Sequence, residues 1–391
     1  MKNFNYVDSS KKQDKEQIRE SLTYWKDVWR RLRGNVLAMI GLAGVILVVL
    51  FGFAGPYFTG YGYQDQITDY SNLPPSLSVY QVSEDGYVFL TQSYRLLLIS
   101  EDGHVLERLD LVSRDFISRI YYYDYEGEEI AIDYSYRVYE PEGDIDYTVT
   151  YNGQTTEQPT MSVGNKTFLF GSDHLGRDVL TRLMYGARIS LKISLVAALV
   201  NLLIGVVYGS VSGFSSSKTD NIMMRIVDII NSIPLVIYVI LLMVLLNKAN
   251  IWTIILALGT VYWVGMARLV RGQIISLKDQ EFVLAARVIG VSRRKIIFRH
   301  LIPNSLGPII VSLTMSIPSA IFTEAFLSFI GIGISAPEAS WGTMANEAIS
   351  QLEAYPYQML FPALAIGITV LSFNFLGDGL RSALDPRLRK G

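Results

Sequence analysis

The chain has 391 residues, half of them apolar, with a positive mean hydropathy, a formal net charge of −2 and no cysteine. The lack of cysteine excludes disulfides, cysteine-based zinc sites, thiol catalysis and iron–sulfur clusters together. The small net charge excludes nothing, because charges are segregated along the chain and apolar residues gather in runs of the ~20 that a helix needs to cross a bilayer.

Residues 1–34 are polar, with nine Lys/Arg against five Asp/Glu, and read as a cytoplasmic tail. The first apolar span covers 35–57, NVLAMIGLAGVILVVLFGFAGPY. Its full length and long leader fit an uncleaved anchor rather than a cleaved signal peptide. Residues 58–170 form a polar, acidic insertion that holds 15 of the 24 tyrosines and, between 60 and 169, only six Lys/Arg. Two stretches, GYVFLTQSYRLLLISEDGHVLERLDL and IYYYDYEGEEIAIDYSYRVYEPEGD, alternate around glycine-containing turns. They predict β-hairpins, and hence a small β-rich domain on the outer membrane surface. Tyrosines at alternating positions pack such a sheet; a peptide- or protein-contacting surface is the other reading.

The stretch GRDVLTRLMYGARISLK within 171–192 carries four basic residues, with Val179, Leu180, Leu183 and Met184 at helical spacing. It predicts an interfacial amphipathic segment over 171–187. Five further spans follow at about 188–214, 225–247, 250–270, 303–330 and 357–379. Six spans put both termini on one side. The basic tail, the loop 268–300 (eight Lys/Arg, two Asp/Glu) and the end LDPRLRKG then face the cytoplasm. The acidic insertion and the loop 331–356, which has no Lys or Arg, face outward, as the positive-inside bias requires. The predicted fold class is an all-α polytopic membrane protein of six spans with a β-rich extracytoplasmic insertion at 58–170. A five-span core covers 188–380 and a cytoplasmic end 381–391.

The cytoplasmic segment EFVLAARVIGVSRRKIIFRHLIPN, 281–304, is amphipathic and carries six basic or potentially basic side chains. Phe282, Ala285, Ala286 and Ile289 share a helical face. Gly290 suits a left-handed helix end, Ser292 an N-cap for a second helix over Arg293 to His300, and Pro303 the first turn of the next span. A helix–turn–helix outside the bilayer follows; snorkelling of basic residues toward anionic lipid is the plainer reading. Inside the spans, Asn201, Asp228, Glu324 and Asn374 are polar where polarity is costly. Asp228 and Glu324 are candidates for lining a translocation path or a subunit interface; interhelical hydrogen bonding is the alternative.

No G-x-x-x-x-G-K-[ST] phosphate loop, HExxH or GxSxG is present, and His104, His174 and His300 lack metal-ligand spacing. No catalytic residue and no metal site is predicted.

At the segment 281–304 the sequence resembles a family. AARVIG, nine residues, then HLIP is similar to the EAA loop of permease subunits of ATP-binding-cassette importers. Leu284 stands where that pattern has glutamate, with Glu281 three residues earlier, and His300 and Ile302 replace its Ile/Leu pair. GSDHLGRDVLTRLMYGARISL, LSFIGIGISAPEASWGTMANEA and DPRLRK look like segments of the peptide- and nickel-type permeases, the "C" subunits of oligopeptide and dipeptide importers. The resemblance implies a type I importer permease fold in a bacterial cytoplasmic membrane and half of a translocation path for peptides. It implies a second permease, two ATPase subunits that hold ATP and magnesium, and an external peptide-binding protein as partners. This chain would bind no cofactor and no nucleic acid. Coupling to the ATPases would run through 278–303: Glu281, Ala285, Ala286, Gly290 and Pro303 shape the element, and Arg287, Arg293 and Arg294 meet an acidic cleft. The competing reading is a membrane receptor or scaffold acting through its external β domain, for which six spans are more than an anchor requires.

Overall fold

The computed structural model describes residues 23–83, 86–139, 145–246, 250–334 and 338–385; the predicted tail up to 22 and the terminal stretch 386–391 lie outside the described residues. The chain starts with α1 (Tyr24–Gly34) and α2 (Val36–Phe53). α1 falls within the stretch read as a tail. Its Val28 and Leu32, one turn apart, are buried with Ala383 and Leu384, while Trp25 and Trp29 lie exposed on another face. Asn35 then accepts from Ala38 N–H and caps α2.

Ten strands follow among the described residues: β1 (Ser76–Gln81), β2 (Gly86–Leu90), β3 (Leu96–Ser100), β4 (Val105–Arg108), β5 (Leu111–Asp115), β6 (Ile120–Tyr125), β7 (Glu128–Asp133), then the short α3 (Tyr136–Tyr139), β8 (Thr148–Tyr151), β9 (Gln154–Thr156) and β10 (Met161–Gly164). They make two antiparallel five-stranded sheets, ordered β10-β1-β2-β3-β4 and β5-β6-β7-β8-β9. Val88, Leu90, Leu96 and Leu98 of the first sheet meet Tyr121, Tyr123, Ile130 and Ile132 of the second. The alternate residues Tyr87, Leu97 and Ile99 face the other way, onto Leu73 and Phe168. With both faces covered, β3 reads as the continuous apolar run LLLI rather than as an alternation.

The membrane body comprises α4 (Val179–Phe214), α5 (Ser217–Ser232), α6 (Leu235–Leu246), α7 (Ile251–Leu277), α8 (Glu281–Val288), α9 (Arg293–Ile296), a π turn (Ile297–Leu301), α10 (Ile302–Asn304), α11 (Leu306–Phe329), α12 (Trp341–Ala348) and α13 (Tyr357–Leu384). Five of these helices, counting α2, are long and apolar enough to cross a bilayer, and α5 with α6 adds a sixth as a pair bent by 83°. The span predicted as continuous over 225–247 is thus broken. Ile233 is extended (φ −82°, ψ 121°) because it precedes Pro234, whose ring disfavours helical backbone there.

The interfacial segment expected to end at 187 is instead the first part of one 36-residue helix, α4. Asp178 caps that helix by accepting from Thr181 N–H at 2.8 Å. Val179, Leu183 and Ala187 are buried against Trp341 of α12, so nothing ends the helix at the expected boundary. α4 packs on α7 through Gly205, Gly209 and Gly213, at i, i+4 and i+8. A Cβ on Gly209 would lie 2.4 Å from the Ala267 carbonyl, so a larger residue would push the helices apart. The β-rich region is tied to the body where Tyr357 O–H reaches the Ser172 carbonyl (2.6 Å) and Gln358 donates to Asn72 (2.8 Å).

Candidate functional site

The segment between α7 and α11 is built by helix-end chemistry. Glu281 sits in the first turn of α8, where its charge suits the helix dipole, and Arg287 sits in the last turn. α8 closes on Gly290, whose φ of +79° only glycine adopts freely. Val291 N–H bonds the Ala286 carbonyl and Gly290 N–H the Arg287 carbonyl, both at 3.0 Å. That pair is a Schellman closure. Open space surrounds the Gly290 Cα, so backbone conformation rather than local crowding selects glycine.

Ser292 is extended ahead of α9, as an N-cap is, but the second helix runs only to Ile296 before the π turn. The predicted Arg293–His300 helix is therefore corrected. Pro303 has no N–H to offer the Arg299 carbonyl, and the chain widens by one residue there before resuming as α10. Asn304 Nδ2 bonds the His300 carbonyl at 2.6 Å, and the Leu301 carbonyl takes both Ser305 N–H and Ser305 Oγ, at 3.1 and 3.0 Å.

The buried face also differs from expectation. Val283 and Ala286 are buried with Met266, Val270, Ile274, Ile296, Ile297 and Leu301, whereas Phe282, Ala285 and Ile289 are exposed. The helix turns by one position because α7 offers its apolar ridge to Val283, a residue outside the predicted stripe. Val288 and Ile289 are 87% and 79% exposed. Arg293, Arg294 and Lys295 are exposed beside them. Arg287 lies over the Phe214 ring (5.2 Å) and donates to the Lys278 carbonyl (3.2 Å), so it fastens α8 to the end of α4.

The two intramembrane carboxylates expected on a path or interface are engaged within the chain. Asp228 of α5 takes a 2.8 Å bond from Arg268 of α7, one turn of α7 and about two turns of α5 from the Asp220–Arg271 pair. Glu324 is 0% exposed and accepts from Ser190 Oγ of α4 and Ser328 Oγ, both at 2.8 Å.

A second charged cluster, at the N-terminal end of α4, has no counterpart among the sequence expectations. Asp173 Oδ2 takes Arg177 Nε and Arg182 Nη1, both at 2.6 Å, and Glu347 Oε2 takes the same two guanidinium groups at 2.8 Å. Burial alone would raise the Asp173 carboxyl, but Arg182, Arg177 and two backbone N–H groups outweigh it and hold it below the ordinary carboxylate range. Burial wins at Asp178, which is raised. His174 brings a ring nitrogen within 4.8 Å of both carboxylates, yet two guanidinium charges on the same oxygens oppose a cation there. The Asp-x-x-x-Arg spacing was a local signal for half of this cluster. Glu347 lies 170 positions from Arg177 and left none.

Residues 205–390 match the family described as the binding-protein-dependent transport system inner membrane component, and residues 23–75 match the N-terminal TM domain of oligopeptide transport permease C. The oligopeptide transport system permease protein OppC of Bacillus subtilis is 37% identical over 96% of this chain and 94% of its own length. The dipeptide transport system permease protein DppC of the same organism is 36% identical over 95% of this chain and 88% of its own length. The alignment with OppC takes in 378 residues, so it must run through the β-rich region. OppC of Escherichia coli, 47% identical, aligns over 59% of this chain and 75% of its own length. The chain is a membrane-spanning, non-catalytic member of the binding-protein-dependent transport permease family.

Proposed function

We propose that this chain forms half of the translocation path of an importer of oligo- or dipeptides, driven by separate ATP-hydrolysing subunits that dock on the loop 278–303. Its relatives OppC and DppC are permease proteins of oligopeptide and dipeptide transport systems, which supports the substrate class. A second permease completes the path, two ATPases hold ATP and magnesium, and an external binding protein delivers the peptide. Both termini face the cytoplasm in this arrangement.

The observation that carries the docking is the surface of α8 and α9: Val288 and Ile289 stand exposed beside Arg293, Arg294 and Lys295 on a backbone fixed by Gly290. An exposed apolar helix end followed by exposed cations on the next helix suits an acidic-rimmed apolar cleft. Val283, Ala286, Ile296 and Leu301 are packed on α7, and Ile309 of α11 joins the same cluster. A push on α8 therefore moves α7 and α11 as a body, the kind of step that rocks a path between its two openings.

Tagged full-length protein, extracted in mild detergent, tests the reading. It is expected to bring down an ATPase and a second permease with peptide-stimulated hydrolysis. Gly290→Trp abolishes the stimulation, whereas Gly290→Asn, which tolerates positive φ, retains most of it. A wild-type chain that comes down alone and inactive refutes the proposal.

A further inference from the structure

Between the first sheet and the outer end of α13 lies a cavity of about 510 Å³, within the size range of ligand sites. One wall is the open mouth of a strand pair. β1 and β2 pair at two positions, Tyr80 with Val88 and Gln81 with Tyr87. The Pro75 and Val79 carbonyls accept from Asn165 and Thr160 N–H on the β10 side, whereas Val82 N–H bonds the Gly86 carbonyl on the β2 side. Backbone groups alternate direction along a paired strand, so those of Ser76 and Ser78 face the β2 side. Both residues line the cavity.

Among the described residues β2 does not reach them. Leu90, which would continue the ladder onto Ser78, donates its N–H to the Tyr147 hydroxyl at 3.1 Å instead. Tyr147 is 4% exposed, its carbonyl accepts the Tyr80 hydroxyl at 3.0 Å, and the two rings pack 4.7 Å apart. It is the wedge that holds the strands open. Burial raises the Tyr147 phenol far above the neutral range, so the wedge stays uncharged. Phe89 of β2 and, across from the sheet, Tyr355 and Tyr357 add aromatic rings to the lining. In the lining Asp146 is paired with Arg137 at 2.6 Å, so the two cancel locally, and the pull on a cationic end comes from the surrounding region 58–170, with 19 Asp/Glu against six Lys/Arg.

We infer that this cavity binds an extended peptide with a free amino end, which adds to β1 as a strand through the backbone groups of Ser76 and Ser78 and lays alternate side chains on the aromatic lining. The inference rests on the peptide-import reading and gives the β-rich region a part in it: a vestibule site ahead of the translocation path.

The test is fluorescence anisotropy on the full chain in nanodiscs, with an alternating Ala-Val hexapeptide labelled at its carboxyl end. Ser78→Pro removes an N–H that faces the cavity and leaves the β10 ladder intact. It is expected to weaken binding roughly three- to tenfold, the worth of one hydrogen bond. Ser162→Pro, opposite Ser78 with its N–H turned away from β1, serves as the fold control; it also frees the Ser76 hydroxyl from Ser162 Oγ, as Ser162→Ala does without touching the backbone, and both leave binding unchanged. The hexapeptide N-methylated on alternate backbone nitrogens weakens at least as much as Ser78→Pro does. Binding indifferent to both Ser78→Pro and N-methylation, or no saturable binding, overturns the site. If the assembled complex still imports peptide in that case, the site alone has failed. If the chain binds the hexapeptide as expected yet recruits no ATPase, the import reading has failed and the strand site stands.

Discussion

The two charged ends of the membrane body treat their charges in opposite ways. At the N-terminal end of α4, Asp173, Arg177, Arg182 and Glu347 pair with one another, with three of the four side chains almost wholly buried. On the α8–α9 element Arg293, Arg294 and Lys295 stay exposed, next to apolar Val288 and Ile289. A charge closed on its own chain holds that chain together. One left open beside apolar surface is available to another molecule.

The difference can be broken by removing one charge from each end. Asp173→Ala leaves the two buried guanidinium groups with the half-buried Glu347 as their one carboxylate and is expected to destabilise by about 1–3 kcal/mol, read as a clear drop in unfolding temperature in detergent. A loss no greater than that of a surface substitution would mean that this cluster is not structural. Asp173 also sets an acid limb. Its folded carboxyl titrates below its unfolded one, so its stabilisation is present above the unfolded value and is lost as pH falls through the lower folded value. Asp173→Ala should flatten that limb.

Gly290→Ala forces a Cβ onto a backbone at φ +79° and should cost about 1 kcal/mol. Since nothing crowds the site, the loss should be recovered in Gly290→Asn. Ser340→Ala removes the capping box of α12, in which Ser340 and Thr343 exchange bonds, and should cost a comparable ~1 kcal/mol. Arg293→Ala with Arg294→Ala should change stability by less than about 0.5 kcal/mol while lowering ATPase stimulation in the assembled complex. An equal fall in unfolding temperature and in stimulation would erase the distinction between the two ends.

The smallest effect is expected at Asp178→Asn. The folded carboxyl is raised, so its contribution is full below the unfolded value and is lost as pH rises through the higher folded one. Asparagine keeps the cap without ionising, and the variant should be slightly more stable than the parent at neutral pH.

Local rules were legible wherever they act within a few residues. The left-handed end at Gly290, the hairpin about Glu126 and Gly127 and the extended Ser292 were all readable from the sequence. Pro234 breaks the span at 225–247, and the hydropathy that marks the span carries no information about that bend. The face of α8 was misjudged because Phe282 and Val283 are equally apolar, and only the ridge of α7 chooses between them.

Composition and periodicity by themselves determined that the chain crosses a membrane, that an acidic β-rich region interrupts it and that a basic amphipathic element lies between two spans. Each follows from interactions over one or two turns of backbone, or from the length of an apolar run. Only the tertiary structure decided that Glu347 meets Arg182 across 165 positions, that Glu324 is sealed by Ser190, and that Tyr147 parts β1 from β2. Those contacts depend on which elements come to lie side by side, and side-chain partners that far apart in a chain leave no periodic trace in it.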